Sequence, residues 1–257
     1  MRAAALFLLL LPLGCGESKS YDSTLDKVLD TKVLVIGTEP EFKRFETKNP
    51  DGEIVGFDMD LVKLLAADLG VELEIEEYEF PALIPALVNG KIDLIVSGMT
   101  ATEERSKTVT FTAPYFHTKL CLLVHKDSGI EKSSDANGKR IVVKQGTTGQ
   151  MNAPRLFPDS ELTILPGEAD CANEVAAGKA DAFLYDHLSI LEASMQHKKT
   201  TRAIFESLSE EPYAMAVRHG DTKFRDRINE FLEKIRADGR HAQLLAAWMS
   251  DVPDEIR

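Results

Sequence analysis

The sequence lacks the patterns that mark most hydrolase, nucleotide-binding and metal-binding classes. It contains no GxSxG, GxxxxGK or HExxH motif, so the usual serine-hydrolase, P-loop and zincin signatures are excluded. Its six histidines have no metal-ligand spacing. Three cysteines among 257 residues are too few for a disulfide-built scaffold. We therefore predict no metal site, no cofactor and no catalytic residues.

Positive charge is also scarce. Lysine and arginine number 30 against 42 acidic residues, which gives a formal net charge of -12 at pH 7. Nucleic acids and anionic lipid surfaces bind basic faces, so neither is expected as the main partner. Of the residues, 44% are hydrophobic and 28% are charged, a composition typical of globular proteins that excludes disorder.

Long apolar runs are absent except at the amino terminus. Ala3 to Leu13 carries no charge and is followed by Gly14 and Cys15. A run of about eleven apolar residues is too short to span a bilayer, which takes roughly 20. Residues 1–15 are therefore predicted to be a secretory signal whose Gly14-Cys15 resembles a lipobox. Cys15 would then carry a lipid anchor and hold the exported protein at the membrane, in the periplasm or at the cell surface, although an ordinary cleaved signal is the alternative.

The residues that follow the signal are polar. Residues 16–30 are predicted to form a tether. The two remaining cysteines, Cys121 and Cys171, leave two possibilities open. They form a disulfide in an oxidising compartment, or they are two buried free thiols.

Strand and helix patterns alternate along the rest of the chain. Asp58 to Leu69 has apolar residues at helical spacing and is followed by Gly70, which favours a helix end. Further helices are predicted at 83–88, 171–177, 224–235 and 244–249, and strands at 33–36, 71–75, 92–96, 140–143, 162–165 and 182–184. This order predicts α/β lobes in which helices connect parallel strands.

One segment is repeated in weak form. Residues 90–96, GKIDLIV, resemble residues 178–184, GKADAFL, and each copy indicates a helix end, a turn and a buried strand. Ser97-Gly98 directly follows the first copy, and Tyr185-Asp186 directly follows the second. Ligands bind at the carboxyl ends of strands in open parallel sheets, so both pairs are expected to face one crevice. A helix-to-strand turn repeated by chance is the alternative.

Two loops have features of an anion site. After residues 97–100, Thr102 is a candidate N-cap, and Arg105 lies one turn further on. Helix-start N–H groups and a guanidinium match a carboxylate, and the alternative is that Arg105 pairs with Glu103 or another surface acid. In the second lobe, residues 144–149, KQGTTG, form a similar loop whose threonines are either ligand-binding or simple helix caps.

Several ordered motifs resemble the bacterial extracellular solute-binding proteins of family 3, the polar amino-acid receptors of ABC importers. The likeness spans about residues 30–250 and rests on VIGTEPEF (35–42), GFDMDL (56–61), IPAL (84–87), SGMTATEER (97–105), FTAPY (111–115), GTT (146–148) and YD (185–186). The resemblance implies an α/β periplasmic-binding fold of two lobes. Lobe 1 would comprise residues 31–115 and 213–257, and lobe 2 residues 116–212. Two crossing strands, near 115–119 and 209–213, would form the hinge.

The resemblance also implies the residues of a ligand site. Arg105, with the backbone of Thr100 and Thr148, would hold an α-carboxylate. The Gly98 carbonyl and Asp186 would receive the α-ammonium. This division is chemically sound, because a zwitterion needs donors at one end and acceptors at the other.

Selection of the ligand side chain would fall to Glu39, Phe42, Phe80 and Lys144. The alternative for the two phenylalanines is that they pack in the lobe core and do not contact the ligand. A cation at Lys144 disfavours a basic ligand and favours glutamine or glutamate unless Glu39 neutralises it. A polar amino acid is therefore expected.

The resemblance implies a monomeric lipoprotein, not an enzyme, which closes its lobes on an amino acid and delivers it to an ABC permease. A cyclohexadienyl-dehydratase-like enzyme on the same fold is the alternative. Such an enzyme needs a protonated carboxyl group as general acid, for which Glu39 or Asp186 would be recruited.

Overall fold

The computed structural model describes residues 20–253. Its α-helices are α1 (Thr24–Thr31), α2 (Phe57–Leu69), α3 (Leu83–Val88), α4 (Glu103–Ser106), α5 (Thr148–Leu156), α6 (Glu168–Ala176), α7 (His187–Gln196), α8 (Thr222–Ala237) and α9 (Arg240–Met249). Its strands are β1 (Val33–Thr38), β2 (Glu41–Phe42), β3 (Glu46–Lys48), β4 (Ile54–Val55), β5 (Glu72–Glu77), β6 (Leu94–Ile95), β7 (Val109–Phe111), β8 (Phe116–His125), β9 (Arg140–Lys144), β10 (Glu161–Leu165), β11 (Ala182–Asp186), β12 (Thr201–Tyr213) and β13 (Ala216–Arg218).

Two five-stranded sheets form two α/β lobes, as the sequence predicted. The first has the strand order β5-β1-β6-β13-β7 and the second β10-β9-β11-β8-β12. In each sheet three neighbouring strands are parallel, and the remaining two are antiparallel. The parallel strands are those that the alternating pattern predicted. In each sheet the strand that lies antiparallel beside the parallel set, β13 or β8, follows a strand of the other sheet in the chain, which local periodicity does not reveal.

The strands that connect the lobes are β8 and β12. They pair antiparallel from His125 and Thr201 at one end to Phe116 and Tyr213 at the other. The pairing then continues into the first lobe, where the Tyr115 N–H donates to the Tyr213 carbonyl over 2.8 Å. The predicted hinge of two crossing strands is therefore present.

The repeated segment has the same structure in both lobes. Gly90 and Gly178 both have positive φ, of 69° and 71°, at the turn after a helix. Each copy's aspartate accepts a backbone N–H from the neighbouring parallel strand and donates its own N–H to the same residue. Asp93 pairs in this way with Val35, and Asp181 with Arg140. The shared bonds fix the central strands β6 and β11 in register.

The predicted tether is wrong for its second half. Helix α1 begins at Thr24, with Leu25 and Val28 buried, and it packs against α8. Lys27 forms an ion pair with Asp93, whose side chain is fully buried. Amphipathic spacing in a short polar stretch was too weak a signal, and tertiary packing supplies the stability of this helix.

Other differences concern short elements and the cysteines. The strand predicted at 92–96 is reduced to β6, and the three-stranded antiparallel sheet β2-β3-β4 was not predicted. Cys121 and Cys171 are free and buried, which supports the reading as two thiols. No helix within residues 20–253 is long and apolar enough to cross a membrane. The predicted signal and Cys15 lie outside the described residues.

Candidate functional site

A cleft between the lobes brings together residues from both sheets. Eight of the nine predicted ligand-binding residues line it: Glu39, Phe42, Phe80, Gly98, Thr100, Arg105, Thr148 and Asp186. They stand at the carboxyl ends of β1, β6 and β11 or in the segments that follow, as parallel sheets dictate. The ninth, Lys144, is not part of the cleft wall and is 1% exposed at the end of β9.

The guanidinium of Arg105 lies buried at one side of the cleft. It donates to the Thr100 carbonyl over 2.7 Å and, across the cleft, to the Gly146 carbonyl over 3.0 Å. Both of these bonds go to carbonyls rather than to Glu103. Burial lowers the pKa of Arg105 to about 10, while the nearby acids Glu211 and Asp186 oppose that shift. The group therefore stays a cation at neutral pH and can receive an anion.

The start of α5 faces Arg105 from the second lobe. Thr147 occupies the N-cap, but its hydroxyl donates to the Lys144 carbonyl over 2.8 Å, and no side chain caps the first-turn N–H groups. Unpaired N–H groups at a helix start attract anions. The backbone of Thr148 and the guanidinium of Arg105 thus form two sides of one anion-accepting corner.

Asp186 provides the acceptor at the end of β11. Its carboxyl group is 7% exposed, and Oδ1 has no hydrogen-bond partner of good geometry among the described residues. Burial raises the pKa of Asp186 to about 8, although the neighbouring Tyr213 hydroxyl and Arg105 offset part of the increase. A bound ammonium group would supply the missing partner of this carboxyl group.

Glu39 and Lys144 form a buried ion pair across the cleft. Glu39 Oε2 contacts the Lys144 ammonium, and Oε1 accepts the Phe80 N–H over 3.1 Å. Each charge has its partner here, so this end of the cleft is neutral overall. The two lobes are also held in contact by the pair.

The two phenylalanines have different surroundings. Phe42 is buried and stacks on Phe45 with ring centroids 4.7 Å apart, so it lies in the core and borders the cleft at once. Phe80 is only partly buried, and the Arg105 guanidinium lies 5.2 Å from its ring centroid. A planar cation over an aromatic face is stabilising and fixes the orientation of the guanidinium.

Gly98 has a conformation and surroundings that exclude a side chain. Its φ is +48°, and a Cβ atom would lie 2.6 Å from the Phe42 ring. Only glycine fits this close approach. The peptide at Gly98 is thereby brought to the cleft surface.

Four further residues line the cleft: Glu46, Ser97, Thr147 and Tyr185. Ser97 and Tyr185 belong to the pairs that the repeated segment placed at a crevice, and Thr147 lies in the predicted loop. Glu46 was missed. It sits in the small antiparallel sheet, and its sequence neighbours carry no periodic signal that points to a site.

The chain is similar to proteins of one bacterial family. Residues 34–251 match the model of the bacterial extracellular solute-binding proteins, family 3. The chain is 32% identical to the ABC transporter glutamine-binding protein GlnH of Bacillus subtilis (strain 168), over 98% of this chain and 96% of that protein. It is similar in structure to a mutant of ArgBP from T. maritima, with a TM-score of 0.82, 35% identity, and coverage of 89% of this chain and 100% of that one.

A second solved structure bears on the choice between receptor and enzyme. It is the ancestral amino acid-binding protein AncCDT-1, described as a precursor of cyclohexadienyl dehydratase. Its TM-score is 0.81 at 33% identity, and the match covers 88% of this chain and 99% of that one. With the family model matched over most of its length, the chain belongs to the bacterial extracellular solute-binding proteins of family 3.

Proposed function

We propose that this protein binds a polar amino acid between its lobes and delivers it to the permease of an ABC importer. The single observation that carries the proposal is that the two lobes together bring both hydrogen-bond donors and acceptors to one cleft. Arg105 and the start of α5 provide donors at one place, while Asp186 and the Gly98 carbonyl provide acceptors. An α-amino acid has the carboxylate and ammonium groups that satisfy both sets.

We further propose that the ligand side chain is polar and neutral, as in glutamine. Glu39 and Lys144 neutralise each other in their ion pair, so neither charge is left to select a basic or an acidic side chain. Phe42 and Phe80 offer flat surfaces to a planar amide. The glutamine-binding relative is consistent with this choice, whereas the positively charged side chain of an arginine ligand would call for a net negative pocket end.

A thermal-shift screen over the twenty amino acids tests the proposal. A ligand that binds only the folded state raises the melting temperature, and glutamine is expected to give the largest increase. A screen in which no amino acid shifts the melting temperature would contradict the proposed function.

Arg105→Ala is then expected to weaken the affinity for that ligand by at least tenfold. A charge-assisted hydrogen bond contributes about 1.5 to 3 kcal/mol, which corresponds to that ratio. Isothermal titration calorimetry measures it, with Arg140→Ala as a control, because Arg140 pairs with Asp181 on the exposed side of lobe 2. Equal affinity of wild type and Arg105→Ala would remove Arg105 from the site.

Export and anchoring complete the proposal. The mature protein would begin at a lipid-modified Cys15, hold to the membrane through the lipid and meet the permease as a monomer with closed lobes. Mass spectrometry of the mature amino terminus tests this, since lipidation adds acyl mass to Cys15. Cys15→Ala is expected to release the protein from the membrane fraction, and an unmodified amino terminus in the wild type would exclude the anchor.

A dehydratase remains the second candidate because of one observation on Asp186. A buried carboxyl group that keeps its proton near neutral pH is what a general acid requires. The similarity to AncCDT-1 adds to this candidate. Incubation with prephenate or arogenate separates the two functions, because turnover of either compound would overturn the reading as a binding protein only.

A further inference from the structure

Two buried carboxylic acids lie at the first-lobe wall of the cleft, where Glu46 is one of the lining residues and Asp58 is not. Glu46 in β3 is 1% exposed, and Asp58 in α2 is 0% exposed. The charged groups that act most strongly on them are other acids, with no lysine or arginine among them. Two unpaired buried charges would be very costly, so some other arrangement must stabilise the pair.

Three donors reach the two acids, and all three belong to the cleft wall or the hinge. Asp58 Oδ2 accepts the Gly98 N–H over 2.9 Å and the Tyr115 hydroxyl over 2.7 Å. Glu46 Oε1 accepts the Ser97 hydroxyl over 2.9 Å. The two acids therefore hold the backbone at Gly98 and the side chain of Ser97.

The second carboxyl oxygen of each acid has no such donor. Glu46 Oε2 and Asp58 Oδ1 are buried and receive no N–H or hydroxyl from any described residue. The two carboxyl groups act on each other, and a hydrogen bond between them would give these two oxygens a partner. Such a bond requires a proton on one of them, since an ionised carboxylate only accepts.

The hydrogen bonds indicate which acid carries that proton. Asp58 receives two donors on one oxygen, which stabilise its ionised form, whereas Glu46 receives one. Burial, with the nearby charge of Asp58, raises the pKa of Glu46 well above its usual range. Burial raises the pKa of Asp58 to about 6, against the opposing effect of its hydrogen bonds. The unequal number of donors therefore favours Glu46 as the carrier of a shared proton.

We propose that Glu46 and Asp58 share one proton and act as a positioning pair that holds Ser97 and Gly98 in ligand-binding geometry. Gly98 needs such support, because glycine has the most backbone freedom to lose, and the bond from its N–H to Asp58 helps to hold its φ of +48°. Ser97 extends the effect, since its Oγ accepts the Glu39 N–H over 3.0 Å. The affinity consequence presupposes the proposed amino-acid ligand.

The pair predicts a specific dependence of affinity on pH. Loss of the shared proton at alkaline pH places two negative charges side by side, and their repulsion separates the carboxyl groups. The other titratable groups that face the pair are Glu39, Tyr115 and Tyr185. They are acids, so none of them neutralises the second charge.

Substitutions of Glu46 test the positioning role. Glu46→Ala removes the bridge and is expected to weaken amino-acid affinity by about tenfold. Glu46→Gln is expected to restore most of it, because the amide oxygen still accepts from Ser97 and the NH₂ group donates permanently to Asp58. Glu74→Gln, at an exposed carboxylate of β5, is the matched control and should leave the affinity unchanged.

The ratio of wild-type to Glu46→Gln affinity, measured as a function of pH, isolates the effect of the shared proton on binding. The ligand ammonium and Asp186 also titrate, but they do so in both proteins and largely cancel in the ratio. We expect the wild type to lose affinity relative to Glu46→Gln as the pH becomes alkaline. A constant ratio across the whole pH range, or a Gln variant as weak as the Ala variant, would overturn the proposal.

Infrared spectroscopy provides a readout that needs no ligand. The wild type at neutral pH should show a protonated carboxylic-acid carbonyl component that is lost in Glu46→Gln and kept in Glu74→Gln, next to the component of protonated Asp186 that all three proteins share. Identical bands in all three proteins would show that Glu46 is ionised and would overturn the shared proton. A protein that has this band but binds no amino acid would contradict the proposed function instead, and the positioning role with it.

Discussion

Asp186 shows how strongly one side chain depends on its surroundings. Its carboxyl group ends a buried strand, and burial raises its pKa from an ordinary 3.8 to about 8. In the ligand-free protein the folded state therefore keeps a proton that the unfolded state releases. That contribution to stability is complete below pH 3.8 and is lost as the pH rises through about 8.

Amino-acid binding at pH 7 is expected to release up to one proton from Asp186. An ammonium group pairs with the carboxylate and not with the acid, so binding lowers the pKa of Asp186, and affinity should rise with pH below about 8. Calorimetry in buffers of different ionisation enthalpy measures the released proton. Asp186→Asn should bind more weakly and release none, whereas buffer-independent heats in the wild type would exclude this coupling.

The residues of the site were predictable where a motif or a strand end marked them. Asp186 and Gly98 follow buried strands, and Arg105 follows a helix cap, so sequence placed all three near the cleft. Glu46 and Asp58 were not predicted as a unit because twelve residues separate them and only the packing of β3 on α2 brings their carboxyl groups together. The Glu39–Lys144 ion pair likewise depends on the contact between lobes.

At the scale of elements, α1 is the clearest departure from sequence expectation. It is anchored to the start of α8 by Asp221, which accepts the Ser23 hydroxyl and the Thr24 N–H, both over 2.7 Å. The same carboxylate caps α8 by accepting the Phe224 N–H over 3.2 Å. One side chain thus binds the N-terminal ends of two helices.

Asp221→Ala is expected to lower the free energy of unfolding by about 1–3 kcal/mol, because it removes a helix cap and two further hydrogen bonds. Urea unfolding followed by circular dichroism measures the change. Asp226→Ala on the exposed face of α8 is the control, and its effect should stay within about 0.5 kcal/mol. Equal stabilities of the two variants would mean that α1 does not depend on Asp221.

Elements with strong periodicity were predictable, and those made by long-range pairing were not. Helix α2 ends at Gly70, whose left-handed conformation the sequence indicated, and Thr102 caps α4 as predicted. Strand β13 pairs only with strands distant in sequence, and no local pattern marks it. The length of β12 was underestimated for the same reason.

At the scale of the whole molecule, the two lobes are joined by buried charge as well as by strands. Lys144 of the second lobe and Glu39 of the first form one buried ion pair. On another face, Arg44 donates to Glu192 of α7 over 2.9 Å and to Asp251 over 2.5 Å. These contacts tie the small β2-β3 hairpin of the first lobe to a helix of the second.

Lys144→Met is expected to lower the free energy of unfolding by about 3–5 kcal/mol, because it leaves the Glu39 carboxylate buried without its partner. The double variant Glu39→Gln with Lys144→Met should lose less than the single one. Thermal and urea unfolding measure both. Lys107→Met, in an exposed pair with Glu104, is the control and should change little. A double variant at least as unstable as Lys144→Met would contradict a cost due to unpaired charge.

The matching aspartate links of Asp93 and Asp181 give the halves of the molecule a common internal plan. Under the proposed roles, each half presents one donor and one acceptor, Arg105 with Gly98 on one side and Thr148 with Asp186 on the other. A ligand bound to either lobe would then already be oriented for the donor and the acceptor of the other lobe. Binding would not depend on which lobe the ligand contacts first. Only the form in which both lobes hold the ligand would be recognised by the importer.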